Sequence, residues 1–215
     1  MALLTLPGVY APQDDTALLA DALRNESLPP QATVLDVGTG SGALALVAAS
    51  RGARVTAVDI SRRAVWTARL NALVARTPVR VLRGDLTAPV AGRTFDLIVT
   101  NPPYVPSPSP ARRGPARAWD AGRDGRLVLD RICREVPPLL RPGGVLLVVH
   151  SALSGIAPTL ACMRAAGLAA TVTERRYVTF GPVLRSRQSW LRDEGLLGPD
   201  GEKEELVVVR AERPH

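Results

Sequence analysis

Histidine, cysteine and lysine are nearly absent from this chain of 215 residues. Its only imidazoles are His150 and His215, too few for a histidine-rich metal site and poor material for a histidine-based catalytic triad. Cys133 and Cys162 have neither the spacing of metal ligands nor the density of a disulfide framework, so no bound metal is expected. No apolar run approaches the ~20 residues that span a bilayer. The amino-terminal MALLTLPG has no basic stretch before it and no cleavage-like site. The expectation is a soluble, cytoplasmic protein with no membrane association. Lysine occurs once, at Lys203, and arginine supplies every other basic side chain of a protein with net charge +7 and a pI near 10.6. Such an excess admits a nucleic-acid or ribonucleoprotein partner. An arginine- and alanine-rich composition produces the same excess with no partner at all.

What the chain has in quantity is alternation of short β-branched runs with Ala/Leu-rich helical segments. Residues 1–12, with Pro7, Gly8 and Pro12, read as an irregular lead-in. Asp14, Asp15 and Thr16 then open a helix over Ala17 to Leu23, and the acidic first turn suits the helix dipole. Pro29 and Pro30 end it. Strands are expected at 33–37, 54–58, 79–82 and 95–100, with helices at 43–50 and 61–75, the rhythm of βαβ units and a parallel sheet. A loop rich in proline, glycine and arginine follows over 105–126. The pattern then predicts a helix from Leu127 to Leu140, a strand from Val145 to His150, and a helix from Ala157 to Ala166 closed by Gly167. Two last strands are expected at 170–180 and 206–211. The stretch 181–205 is too long for a tight hairpin, and local structure is expected around Ser189 to Asp193. A chain of this length reads as one domain, 1–215, made of a lead-in and helix (1–30) and a catalytic sheet with its helices (31–215).

The stretch FDLIVTNPPY, Phe95 to Tyr104, joins an apolar strand to a proline-stiffened tetrapeptide. Pro102 and Pro103 fix φ and lack N–H groups, so Asn101 is held extended just past the carboxyl end of the strand. In an open α/β sheet that edge is where ligands bind. Asn101 offers one acceptor and two donors, and Tyr104 adds a flat face and a hydroxyl, a set able to hold a planar amide or amino group. The alternative is an Asn-Pro loop that merely ends a strand.

A second constellation precedes it. Asp36-Val37-Gly38-Thr39-Gly40-Ser41-Gly42 follows a buried strand and opens a helix, and Asp59 stands at the end of the next strand, placed for the two hydroxyls of a ribose. The G-x-G-x-G spacing of Gly38, Gly40 and Gly42 differs from the G-x-G-x-x-G of dinucleotide enzymes. A carboxylate at Asp36 would repel a pyrophosphate and suits a cationic ligand, which favours S-adenosylmethionine over NAD. Asp85, at the end of the third strand, is suited to accept from an adenine amino group, although a turn cap is as good a reading for it alone.

VLDVGTGSGALAL, AVDIS, RGDL and NPPY, in this order, resemble the class I S-adenosylmethionine-dependent methyltransferases, and most closely the HemK/PrmC family of protein-(glutamine-N5) methyltransferases. The segments Val9 to Thr16 and Ala118 to Gly125 are similar to those flanking the same motifs in that family. The resemblance implies a Rossmann-like α/β fold with a seven-stranded, mostly parallel sheet, an antiparallel C-terminal strand and helices on both faces. It implies S-adenosyl-L-methionine as cofactor and the glutamine amide of the Gly-Gly-Gln motif of a translation release factor as substrate. It extends the cofactor set to Ile60, Leu86 and Thr16, and assigns Asn101, Pro102, Pro103, Tyr104 and Tyr10 to the acceptor. Asn101 would take one N–H of the amide and the Pro102 carbonyl the other, with Tyr104 packed on the planar group.

Bacterial members carry an N-terminal helical domain, whereas some 30 residues precede the first strand here, so the match is to the short form, whose eukaryotic branch works with a small zinc-binding partner subunit. NPPY suits equally an exocyclic amine of adenine or guanine in nucleic acid, and a small-molecule acceptor or a non-catalytic scaffold remain competing classes. Arg112, Arg113, Arg117, Arg123 and Arg126 are expected near the substrate mouth, with Arg175, Arg176, Arg185 and Arg187 as a second rim. Trp190 reads as a packing anchor for the late excursion and Trp66 as core.

Overall fold

Runs of branched apolar residues, stopped by glycine, proline or aspartate, become the strands. In this computed structural model, which describes residues 3–109, 114–198 and 201–215, they are Thr33–Val37 (β1), Arg54–Asp59 (β2), Val79–Arg83 (β3), Phe95–Thr100 (β4), Leu140–Ser151 (β5), Ala169–Thr179 (β6) and Lys203–Glu212 (β7). They form one sheet in the order β3-β2-β1-β4-β5-β7-β6. β7 is antiparallel to β5 and β6, and the other pairings are parallel. Chain order reverses between β1 and β4, which opens a crevice at their carboxyl ends. Because β7 runs the other way, its first residues reach that same edge.

The helices are Asp14–Asn25 (α1), Ala43–Ser50 (α2), Arg62–Val74 (α3), Leu129–Glu135 (α4), Ile156–Ala165 (α5) and Pro182–Asp193 (α6). Every residue from Val145 to Ser151 is buried although neighbours point to opposite sides, so both faces of the sheet are covered. Leu97, Ile98 and Val99 are likewise fully buried, each contributing roughly 1.5–3 kcal/mol. None of the described helices is long and apolar enough to cross a membrane.

The expected elements are present, with three differences. The helix predicted over 127–140 is confined to α4, because Pro137 and Pro138 remove donors and turn the chain into a short 3-10 segment before β5 begins at Leu140. Local structure expected near Ser189 starts earlier, as α6 from Pro182, a residue suited to the first helical position. Trp66 is not core: it is 66% exposed on the outer face of α3. The inner face is built of small residues, with Ala68 so close to Gly42 that a Cβ there would lie 3.2 Å from it, leaving no room for an indole.

α6 belongs to a small second core. Phe180, Leu184 and Leu191 pack with Trp190, Val105, Leu153, Leu196 and Leu197, so Trp190 anchors the excursion as expected. Arg187 ties α6 to the segment after NPPY, donating to the Pro106 carbonyl at 2.9 Å and to the buried Asp120 carboxylate at 2.6 Å. That segment is itself ordered by Val105 N–H to Trp119 O (2.8 Å) and Ala121 N–H to Val105 O (3.0 Å).

Candidate active site

A cavity of about 1100 Å³ opens along the carboxyl edge of the sheet. At one end its wall is the turn after β1. Gly38 (φ +72°) and Gly40 (φ +54°) take left-handed conformations that favour glycine, and a Cβ on Gly38 would meet nothing within 4 Å. The turn folds over β2, with Gly38 N–H and Thr39 N–H both donating to the Val58 carbonyl (2.9 and 3.0 Å). Asp59 closes it: one carboxylate oxygen accepts from Gly40 N–H (2.9 Å), the other from Ser61 N–H (2.8 Å). Burial raises the Asp59 pKa, opposed by those N–H groups and by Arg117 across the cavity. Each oxygen keeps a lone pair for a further donor.

Asp36 and Gly42 lie outside this wall. Asp36 is fully buried beneath the turn, where one oxygen accepts from the Thr39 hydroxyl (2.6 Å) and Ala45 N–H (3.0 Å), bracing the turn against α2. Its other oxygen has no partner among the described residues, and burial pushes the carboxyl up to about 7. Gly42 serves the contact with α3 described above. Asp85, Ile60 and Leu86 are on the wall, and the half-exposed Asp85 carboxylate pairs with Arg131 at 3.1 Å. A Cβ on Gly84 would lie 2.0 Å from the Pro89 ring, so glycine there lets the chain turn back into the wall.

Asn101 sits mid-edge at the end of β4, and its orientation follows from its neighbours. The Thr16 hydroxyl donates to Asp15 (3.1 Å), so its lone pair is what meets the Asn101 amide group at 3.2 Å. The amide nitrogen is therefore the atom facing Thr16, and the Asn101 carbonyl is left without a donor among the described residues. The Pro102 carbonyl likewise accepts nothing from them. Asp15 is buried and also takes the hydroxyls of Tyr10 (2.8 Å) and Tyr104 (3.0 Å). Burial and this carboxylate raise both tyrosine pKa values, so the two phenols stay neutral and present rings to the cavity. Tyr104 is also pinned through its carbonyl by the Ser154 hydroxyl at 2.7 Å.

The structure thus brings Tyr10, Thr16, Gly38, Gly40, Asp59, Ile60, Asp85, Leu86, Asn101, Pro102, Pro103 and Tyr104 to one cavity. Arg117 reaches it too, as expected for the loop after NPPY, and so do Asp15, Arg131 and Glu204, which the sequence does not assign to the site. Asp15 carried a signal, an Asp-Thr pair five and six residues after Tyr10, whereas Glu204 carried none. The arginine expectations are revised. Arg126 is buried, bound to Asp130, the Ser154 and Gly155 carbonyls and Thr159, because it staples α4 to α5. Arg123 pairs with Glu194, and Arg112 and Arg113 lie outside the described residues. The second rim does not form as one: Arg187 turns inward, while Arg175 and Arg176 pair with Glu205 and Asp21. His150 is buried in β5 with its Nδ1 at the Ser151 carbonyl, held near a pKa of about 4 by burial, away from the cavity wall.

Comparison with known proteins places the chain among methyltransferases. The signature of the Methyltransferase small domain family matches residues 1–113. A protein of Methanocaldococcus jannaschii carrying a provisional protein N5-glutamine methyltransferase name is 34% identical over 177 residues, 81% of this chain and 88% of that one. The release factor glutamine methyltransferases of Moorella thermoacetica (40% over 153 residues) and Deinococcus radiodurans (44% over 148 residues) each align with 65% of this chain. The chain spans about half the length of these two, 53% and 52%. Among solved structures, the E. cuniculi Mtq2-Trm112 complex, responsible for methylating the eRF1 termination factor, matches with a TM-score of 0.68 at 23% identity, over 96% of this chain and 99% of that one. A Pyrococcus furiosus methyltransferase matches at 0.66 and 16%, over 99% and 89%. Both share the seven-stranded Rossmann-like fold. The chain belongs to the Methyltransferase small domain family, and within it is similar to the protein-glutamine methyltransferases.

Proposed function

We propose that this protein transfers a methyl group from S-adenosylmethionine to the side-chain amide nitrogen of glutamine in the Gly-Gly-Gln motif of a translation release factor, and does so in the cytoplasm. The observation that carries the reading is the pair of carbonyls at Asn101 and Pro102. Both lie on the cavity wall without donors among the described residues, and a primary amide has two N–H groups to give them.

The residues present fit the cofactor. The open glycine turn leaves room for close approach, and the spare lone pairs of Asp59 match a ribose diol. The orphaned oxygen of Asp36 suits a cation nearby, which would return the carboxyl to its ionised form. Ile60 and Leu86 would flank the adenine, with Asp85 accepting from its amino group. When bound, S-adenosylmethionine supplies an electrophilic methyl carbon.

The protein's task is to present a poor nucleophile. An amide lone pair is delocalised, so Asn101 and the Pro102 carbonyl hold the nitrogen by its two hydrogens with the face of the amide turned towards the methyl donor. The Thr16–Asp15 relay prevents Asn101 from flipping, and Tyr104 packs on the planar group. Positioning of this kind supplies up to about 7–11 kcal/mol of a barrier. The nitrogen, cationic once methylated, returns to a neutral amide by giving one N–H proton to solvent water, and the methyl donor is left as a neutral thioether. Release factor enzymes among the relatives support the substrate, and the two-protein E. cuniculi complex supports a small partner subunit for this chain as well.

The test is transfer from labelled S-adenosylmethionine to a synthetic peptide containing Gly-Gly-Gln. Label should enter that peptide and not one in which glutamine is replaced by alanine. Equal labelling of both would refute the assignment.

A further inference from the structure

The cavity continues past Asn101 in the direction away from the glycine turn, and this far end has its own polar floor. Its wall is made by Val178 at the end of β6, Gly181 to Leu184 at the start of α6, and Glu204 and Leu206 at the start of β7. Val178, Pro182, Val183, Leu184 and Leu206 make this end largely apolar, and Glu204 is the charged residue among them. Glu204 is 8% exposed, and its Oε1 is buried without a hydrogen-bond partner among the described residues. An unpartnered carboxyl oxygen in such a place is unfavourable, and a bound donor would relieve it.

The geometry points to Glu204 as an acceptor-binding residue that takes the backbone N–H of the glutamine whose side chain is held by Asn101. This rests on the protein-glutamine reading given above. β7 lies two strand positions from β4, about 10 Å sideways at the usual ~4.8 Å spacing, and the registers with β5 set Glu204 beyond Asn101 along the strands by roughly 13 Å, a separation of about 16 Å between backbones. From its amide nitrogen to its backbone nitrogen an extended glutamine spans five bonds, about 6 Å. Hydrogen bonds of about 2.9 Å at both ends and the reach of the Asn101 and Glu204 side chains close the remainder. A free primary amide is too short to touch both groups, whereas a glutamine within a chain touches both. The apolar walls from Val178, Val183 and Leu206 leave Glu204 as the polar anchor at this end.

The environment of Glu204 fits an acceptor role. Asp15 of α1 is the charged neighbour, with Tyr10 and Tyr104 beside it, and the Ser151 hydroxyl of β5 favours the ionised carboxyl. Burial and Asp15 together push Glu204 up to about 7, so a donor from the substrate would shift it towards the carboxylate.

Steady-state kinetics with a Gly-Gly-Gln peptide test this, with cofactor affinity measured in parallel by calorimetry. Glu204→Ala should raise the peptide KM about tenfold, while S-adenosylmethionine affinity stays within twofold and reports a folded protein. Glu204→Gln, which keeps an acceptor oxygen, should recover most of the loss. A peptide N-methylated at the glutamine backbone nitrogen should lose about tenfold against the wild type and nothing further against Glu204→Ala. An unchanged peptide KM in Glu204→Ala, or the same additional loss with both enzymes, would overturn the assignment. Failure of the wild type to label the unmodified peptide would instead remove the glutamine reading itself, and Glu204 with it.

Discussion

The two halves of the sheet edge are built by different means. On the β1–β2–β3 side the wall is a set of turns held by their own backbones: Gly38 and Thr39 bond to Val58, and Gly40 and Ser61 hold Asp59. On the β5–β7–β6 side the wall depends on side chains far apart in sequence. Arg187 reaches Asp120, Tyr104 reaches Asp15, and Glu204 arrives from the start of an antiparallel strand. A site assembled from local turns tolerates change elsewhere in the chain. One assembled from long-range contacts can be altered by residues that never meet a ligand.

Asn101 stands where the halves join, and its loss separates them most sharply. Asn101→Ala should lower kcat by about 10²–10³, in the range for removing one positioned hydrogen-bonding group, and leave cofactor affinity within twofold by calorimetry. A loss of affinity matching the loss of rate would place Asn101 with the glycine-turn half instead.

Arg187→Ala strikes the α6 half through its frame. It strands the Asp120 carboxylate, whose side chain is 4% exposed, and breaking a buried pair in this way costs about 3 kcal/mol. Denaturant unfolding should record that loss, and the peptide KM should rise while cofactor affinity holds. A variant as stable as the wild type would show that α6 is held by its small apolar core alone.

Asp59→Ala is the converse change. Loss of hydrogen bonds to a charged group, about 1.5–3 kcal/mol, predicts roughly a tenfold to hundredfold weaker S-adenosylmethionine affinity. The peptide KM at saturating cofactor should move little.

The smallest effect belongs to Asp36. Its carboxyl is raised to about 7 by burial, and a cation beside it favours the ionised form, so binding should release about half a proton at pH 7 and tighten as pH rises from 6 to 8. Calorimetry in buffers of different ionisation enthalpy reads the proton, and Asp36→Asn should abolish it. The same shift has a sign in stability. A carboxyl raised in the folded state stabilises fully below its unfolded pKa of 3.8 and loses that contribution as pH climbs through about 7. The unliganded wild type should therefore lose stability relative to Asp36→Asn across that window.

The same contrast explains what could be read from sequence. The βαβ rhythm, the glycine turn and the residues of NPPY are local patterns with local causes, and β1, α2 and β4 begin and end where those patterns place them. Asp59 was legible because strand ends in such a sheet converge. Trp66 was misread because an indole reads as core wherever it stands, and only the crowding of Ala68 on Gly42 shows that α3 turns its small residues inward. Arg126 was placed at the substrate mouth by its neighbours in sequence, whereas the turn just before α5 supplies the carbonyls that bury it. Glu204 was silent, since the pattern places it in the excursion before a strand at 206–211, and only the earlier start of β7 at Lys203 sets it on the strand edge that faces the cavity.

The most direct measurement is to locate the methyl group. The purified protein would be incubated with isotopically labelled S-adenosylmethionine and, separately, release factor and nucleic acid, followed by mass spectrometry. Label on the side-chain nitrogen of the Gly-Gly-Gln glutamine, lost in Asn101→Ala, is the predicted result. Label on an adenine or guanine amino group, with none on the release factor, would contradict it.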